Sequence, residues 1–163
     1  MNVLTMALMM IAVSFAGFVI GAVMIQSKYR DLQVSEMVSE TDEAQKGILR
    51  SRILILQMMT GTSLTYSILC AFLMVTAAGD FSNAANVSLE SLGAQMPMVS
   101  VVFCVASLLV SVVKGLIGKR CVSSKIVDPQ YFKRCIIKVT VMEIVPIAAL
   151  LFFLLMLTNY LYG

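Results

Sequence analysis

The sequence predicts an all-α membrane protein of four transmembrane helices, arranged as two tandem hairpins. Three observations carry that reading. The 163 residues are 60% hydrophobic and 13% charged, with a mean hydropathy of +0.93, too apolar for a soluble domain of this size. Four segments, about 3–26, 53–78, 94–117 and 135–158, supply the roughly 20 mostly apolar residues that a bilayer span requires. All 12 Lys and Arg residues fall in two stretches: Lys28 to Arg52, between the first and second segments, and Lys114 to Lys138, between the third and fourth. The positive-inside rule then places both basic connections in the cytoplasm and both termini on the opposite side.

The first helix, about 3–26, reads as a retained span rather than a signal peptide, because no basic residue precedes its apolar run and Lys28 and Arg30 follow it. In SETDEAQKGILRSRILILQ, Asp42 and Glu43 precede Lys46, Arg50 and Arg52, an order that suits the helix dipole and i,i+4 pairing. The second helix, about 44–78, therefore begins before the lipid and completes a first hairpin over 1–80. The connection 79–93 holds only Asp80 and Glu90, and NVS at 86–88 is a glycosylation sequon. The second hairpin, 81–163, has helices at about 94–120 and 129–160. Its last helix has a start signal in VDPQYFKRCIIK, where Asp128 is an N-cap and Pro129 the first helical residue.

The hairpins match each other at an offset of 82 residues (143 − 61), which pairs Ile55 with Ile137, Met59 with Val141 and Gly61 with Glu143. Each copy has a basic helix start, an apolar run and one non-apolar site halfway along.

In the second copy that site is Glu143, inside KVTVMEIVPIAALLFFLLMLTNYLYG. It lies 14 residues beyond Pro129, roughly 20 Å into the helix at about 1.5 Å per residue. An ionised acidic or basic side chain at that depth costs about 2.5 to 3.5 kcal/mol on insertion scales. A carboxyl escapes the cost by taking up a proton, which is the minimal chemistry of a proton or sodium carrier. The competing reading is a structural acid bonded to a neighbouring helix or paired with Lys114. Pro146 frees the carbonyl of Met142 and either shapes the site or only kinks the helix.

In the first copy ILQMMTGTSLTYS gathers Gln57, Thr60, Thr62, Ser63, Thr65 and Tyr66 around Gly61. These hydroxyls either meet a carboxyl from another helix or bond within their own while small residues pack. Lys114 is expected to snorkel to the interface, since Lys119 and Arg120 follow; pairing with Glu143 is the alternative. Cys70, Cys104, Cys121 and Cys135 show no CxxC spacing and the chain has no histidine, so they read as buried thiols rather than metal ligands. The 13 methionines read as packing filler. There is no phosphate-binding loop and no nucleophile constellation, and topology accounts for the basic residues without nucleic acid.

KGLIGKRCVSSKIVDPQYFKRCIIKVTVMEIVPIAALLFFLLM is similar to the second hairpin of the duplicated four-helix proteolipid, subunit c or K, of V-type and archaeal-type rotary ATPases. Gly115, Pro129 and Glu143 keep that family's spacing. LILQMMTGTSLTYSILCAF, residues 54–72, resembles its second-helix run at Leu56, Gln57, Gly61, Thr62, Tyr66 and Phe72. The resemblance implies a non-catalytic subunit of an ATP-driven pump or synthase. Copies of it would form a ring, and membrane lipid, a stator subunit with an essential arginine and central-stalk subunits at the hairpin bends would be its partners. It implies no cofactor. The translocated ion, a proton or less readily sodium, would sit on Glu143, with Met59, Thr62, Ser63, Tyr66 and Lys114 at the surrounding positions. Lys114 and Ser63 stand where sodium-binding members carry glutamines, which favours protons. Glycines are sparse in VSFAGFVIGAVM and absent from MPMVSVVFCVASLLVSVV, so packing around a ring would use Ala, Ser and bulkier residues. The reading from another class is a four-helix scaffold or assembly protein derived from such a proteolipid, with Glu143 locked to Lys114.

Overall fold

Each apolar run folds as helix in a computed structural model, which describes residues 1–35 and 43–162. Helix α1 is Val3–Ser35, α2 is Glu43–Thr60, α3 is Thr62–Ala77, α4 is the single turn Phe81–Ala84, α5 is Met96–Cys121, α6 is Pro129–Val141 and α7 is Ile144–Tyr162. Four spans are long and apolar enough to cross a membrane: Val3–Gln33, Glu43–Ala77, Met96–Cys121 and Pro129–Tyr160. The chain is thus an almost wholly helical protein of multi-pass membrane type.

Three features differ from the sequence reading. Helix α1 runs on past Lys28 and Arg30 to Ser35, because its buried stripe continues through Ile25 and Leu32 while the charged residues stay outward. The second and fourth spans are each interrupted, and the two interruptions fall on the paired positions Gly61 and Glu143. At both, the backbone tightens from i→i−4 to i→i−3 bonding. Gly61 N donates to Met58 O at 3.0 Å and Leu64 N to Gly61 O at 3.0 Å; Met142 N donates to Val139 O at 3.2 Å and Glu143 N to Thr140 O at 2.8 Å. Pro146 causes the second break, since it has no N–H for the carbonyl of Met142.

The expected start of the last span holds. Asp128 Oδ1 accepts from Gln130 N at 3.0 Å with Pro129 next in sequence. At the start of α2, Glu43 and Lys46 approach to 3.5 Å across one turn, while Asp42 lies outside the described residues. The 79–93 connection is tied to the chain start: Val3 N donates to Val87 O at 3.0 Å and Asn2 Nδ2 to Ala85 O at 2.7 Å.

Helix α1 packs along α5 and α3, and its glycines decide how closely. A Cβ on Gly17 would lie 3.1 Å from Ser111 Cβ, and one on Gly21 would lie 2.8 Å from Ser111 O, so only backbone hydrogens fit between the helices. Gly115 and Gly118, just beyond the stretch of α5 that lacks glycine, complete this seam. Ser100, Ser107 and Ser111 are buried on the same face of α5.

Two apolar cores result. One, at the end carrying the chain start, includes Met10, Met74, Leu92, Phe103, Phe153 and Leu157. The other, at the end carrying the basic residues, includes Ile25, Leu49, Ile53, Leu56, Ile126 and Val139. The four cysteines are free and divide between them, Cys70 and Cys104 in the first, Cys121 and Cys135 in the second. Between the cores lies a layer of hydroxyls and one charged pair.

Candidate functional site

The polar layer draws on all four spans and is about two turns deep on α5. Ser14 of α1 shares hydrogen bonds with Ser67 of α3 (2.5 Å) and Ser107 of α5 (2.7 Å), and Ser67 and Ser107 are 3.2 Å apart. One turn further toward the basic end, the hydroxyls of Ser63 and Ser111 bond to each other. All five serines are buried, so each hydroxyl satisfies another where no water enters. Next comes Lys114, also fully buried, and opposite it Glu143.

Lys114 Nζ donates to Glu143 Oε1 and, at 2.7 Å, to Thr62 Oγ1, while Thr62 Oγ1 also meets Glu143 Oε1. The three side chains close a triangle across α3, α5 and the α6–α7 break. Thr62 Oγ1 also lies 3.0 Å from Met59 O, so its single proton has two acceptors and can turn from one to the other. Glu143 Oε2 is buried and has no hydrogen-bond partner among the described residues, and the Glu143 side chain keeps 13% of its surface exposed.

The snorkelling expected of Lys114 is therefore corrected. Gly115 and Gly118 bring α1 against this face of α5, so α5 has no lipid-facing path for the lysine stem, and Glu143 supplies the counter-charge that allows burial. Pairing with Glu143, the alternative, is what the side chains do.

The other candidate positions divide. Thr62 touches the carboxylate directly. Met59 contributes its carbonyl to Thr62, and Tyr66 lies within electrostatic reach of Glu143 without a hydrogen bond to it. Ser63 points away, into α5 through Ser111, and belongs to the packing layer. Gln57 turns to α1, where its Nε2 donates to Gln26 Oε1 at 2.8 Å.

Sequence reasoning did not find the Ser14–Ser67–Ser107 triad. Its signal is the 3–4 residue recurrence of polar and small residues along α5: Ser100, Cys104, Ser107, Ser111, Lys114, Gly118. Nor did it find the role of Arg52, whose guanidinium donates to the carbonyls of Ile126 and Val127, both at 2.7 Å, and lies 5.0 Å above the Phe132 ring. No local pattern announces that clasp, because its partners are 74 and 75 residues away.

Chemically the triangle is a carboxylate–ammonium pair with net charge zero, held where the membrane-type spans have their middles. The span Glu43–Ala77 centres on Thr60 and the span Pro129–Tyr160 within two residues of Glu143. The ammonium occupies the place among the oxygens that a free cation would need. A comparison with protein-family models and with curated proteins finds no match for this chain.

Proposed function

We propose that this chain is a rotor-ring subunit of the V/A-type rotary ATPase proteolipid kind, with Glu143 as its mid-membrane carboxylate and the proton as cargo. The observation that carries the reading is the placement of Glu143 at a helix break halfway along a span, in contact with Lys114 and Thr62 and still partly open to the outside of the bundle. Its support from the sequence is the resemblance over residues 54–72 and 114–156.

In this reading the chain is two tandem hairpins with cytoplasmic bends, and several copies close into a ring. Charge arithmetic is what makes the pair compatible with transport. Lys114 and Glu143 together are neutral, as a protonated carboxyl is, so the loaded subunit passes through lipid without a bare charge. Loss of one proton leaves the pair with net charge −1, the state that a stator arginine would stabilise. The chain itself catalyses nothing; ATP chemistry belongs to cytoplasmic subunits that meet the bends.

One observation favours the second reading, a scaffold that moves no ions. Lys114 has no exposed surface, and a fully buried partner suits a permanent lock. Labelling with a hydrophobic carbodiimide separates the two. A transport carboxylate is modified at Glu143, faster at low pH, with loss of ATP-driven proton uptake in the assembled complex. Absence of modification at any pH, in a particle that contains no ring, establishes the scaffold.

A further inference from the structure

On the outer side of the bundle, residues of α1 and α2 line a cleft of about 460 Å³, and a second of about 320 Å³ shares Gln26, Leu54 and Gln57 with it. Gln26 and Gln57 line both. Tyr29 and Arg50 line the upper part, and Phe18 and Met58 the lower. We propose that this cleft binds one anionic glycerophospholipid, with its phosphate against Arg50 and Tyr29 and an acyl chain along Phe18 and Met58.

Depth is the first argument. A Cβ on Gly21 would lie 3.1 Å from Thr60 Cβ, so α1 and α2 are level there, at the middle of the second span. From that level Tyr29 is eight residues and Arg50 ten residues toward the basic end, about 12 and 15 Å at 1.5 Å per residue. Half the hydrocarbon thickness is about 15 Å. Both side chains thus reach the layer where lipid phosphates lie.

The polar groups are free to be used. Arg52 is consumed by the carbonyls of Ile126 and Val127, whereas Arg50, two residues before it and so on the opposite side of α2, is exposed and makes no ion pair among the described residues. A guanidinium binds phosphate oxygens in a planar two-point fashion. Tyr29 accepts from Gln33 Nε2 at 2.7 Å, which leaves its own hydroxyl proton for the phosphate. Gln57 Nε2 donates to Gln26 Oε1, and the amide donors of Gln26, a residue that lines the cleft, have no partner among the described residues. An amide there needs an acceptor, and the ester carbonyl of a bound lipid supplies one.

A second copy of the chain fits this cleft poorly. The exposed face of α7 (Ile144, Val145, Leu151, Phe152, Leu155) is apolar and offers nothing to Arg50 or the glutamines.

The test uses the full chain in nanodiscs of neutral lipid, doped with a phosphatidylglycerol that carries a photoreactive diazirine in one acyl chain. Crosslinks should concentrate at residues 18–29 and 47–58. Arg50→Gln should lower them roughly ten-fold, the worth of one charge-assisted bond to phosphate. Arg50→Lys should lower them less, and Ser51→Trp, which fills the cleft without altering charge, should abolish them. Labelling spread evenly over all four spans, or unchanged in Arg50→Gln, overturns the proposal. So does an intermolecular disulfide formed efficiently by Ser51→Cys, which would make a neighbouring copy the occupant. None of these readouts depends on the rotor reading, which stands or falls on Glu143.

Discussion

Gly115 of α5 rests directly on Gly21 of α1: a Cβ built on Gly115 would stand 3.0 Å from the Gly21 carbonyl oxygen, with the Gly21 Cα nearer still. Both neighbours are backbone, so neither can swing aside. Gly115→Ala must push the two helices apart, and overpacking of this sort costs about 1 to 3 kcal/mol. We expect a lowered thermal midpoint in detergent. Gly47, with nothing within 4 Å of a built Cβ, is the control, and Gly47→Ala should stabilise α2 by up to about 1 kcal/mol.

Removing one member of the central pair should cost more than removing both. Glu143→Gln leaves the Lys114 ammonium buried without a counter-charge, a penalty of about 3 to 5 kcal/mol, unless the lysine gives up its proton. Lys114→Gln with Glu143→Gln restores neutrality and should regain most of the loss. Thermal midpoints of both single variants and the double variant form a double-mutant cycle. Additive effects would show that the two charges do not interact.

Lys114 should also decide what reaches Glu143. In the wild type, sodium should leave carbodiimide labelling of Glu143 unchanged, because an ammonium already occupies the oxygens. In Lys114→Gln the labelling should rise, since no ammonium holds Oε1 any longer, and sodium should begin to protect. Sodium protection in the wild type would contradict the arrangement of the triangle.

Arg52→Ala removes two charge-assisted hydrogen bonds and a ring contact, and should cost about 2 kcal/mol. The loss should be local. Amide hydrogen exchange should quicken at residues 122–128 and at the start of α6, and stay unchanged in the Phe103–Phe153 core.

Asp80 gives a pH handle outside the spans. The Asn83 N–H at 2.7 Å, then the Ser82 hydroxyl at 2.8 Å, hold its carboxylate below the ordinary value of 3.8. A depressed folded-state pKa contributes stability that is complete above the unfolded value and is lost as pH falls through the folded one. The turn Phe81–Ala84 should therefore keep its amide protection at pH 5 and fray only in stronger acid. Asp80→Asn should make that protection independent of acid pH.

The sequence was informative wherever the cause was local. Span number came from apolar run length, the α6 start from Asp128 and Pro129, and Glu143 from being an acid in an apolar run. The match at an offset of 82 singled out Gly61 and Glu143, yet both spans were read as continuous. Whether Pro146 and Gly61 break a helix or are absorbed depends on what packs alongside. Here a Cβ on Gly61 would meet Phe18 Cδ2 at 3.0 Å. Lys114 was misjudged for a related reason. Snorkelling was inferred from neighbours in sequence, whereas its position is set by α1, which covers that face of α5 from far along the chain. The serine triad joins residues 40 to 93 positions apart, and a pattern within one helix cannot say which other helix completes it.

The Arg52 clasp has a mechanical consequence. It fastens the second span to the linker joining the third and fourth, so a load applied to that linker is shared with α2 at once rather than flexing a loose bend. Anything that grips this end of the molecule holds a stiff handle, and cutting the clasp would soften the handle while leaving the charged pair in mid-span untouched.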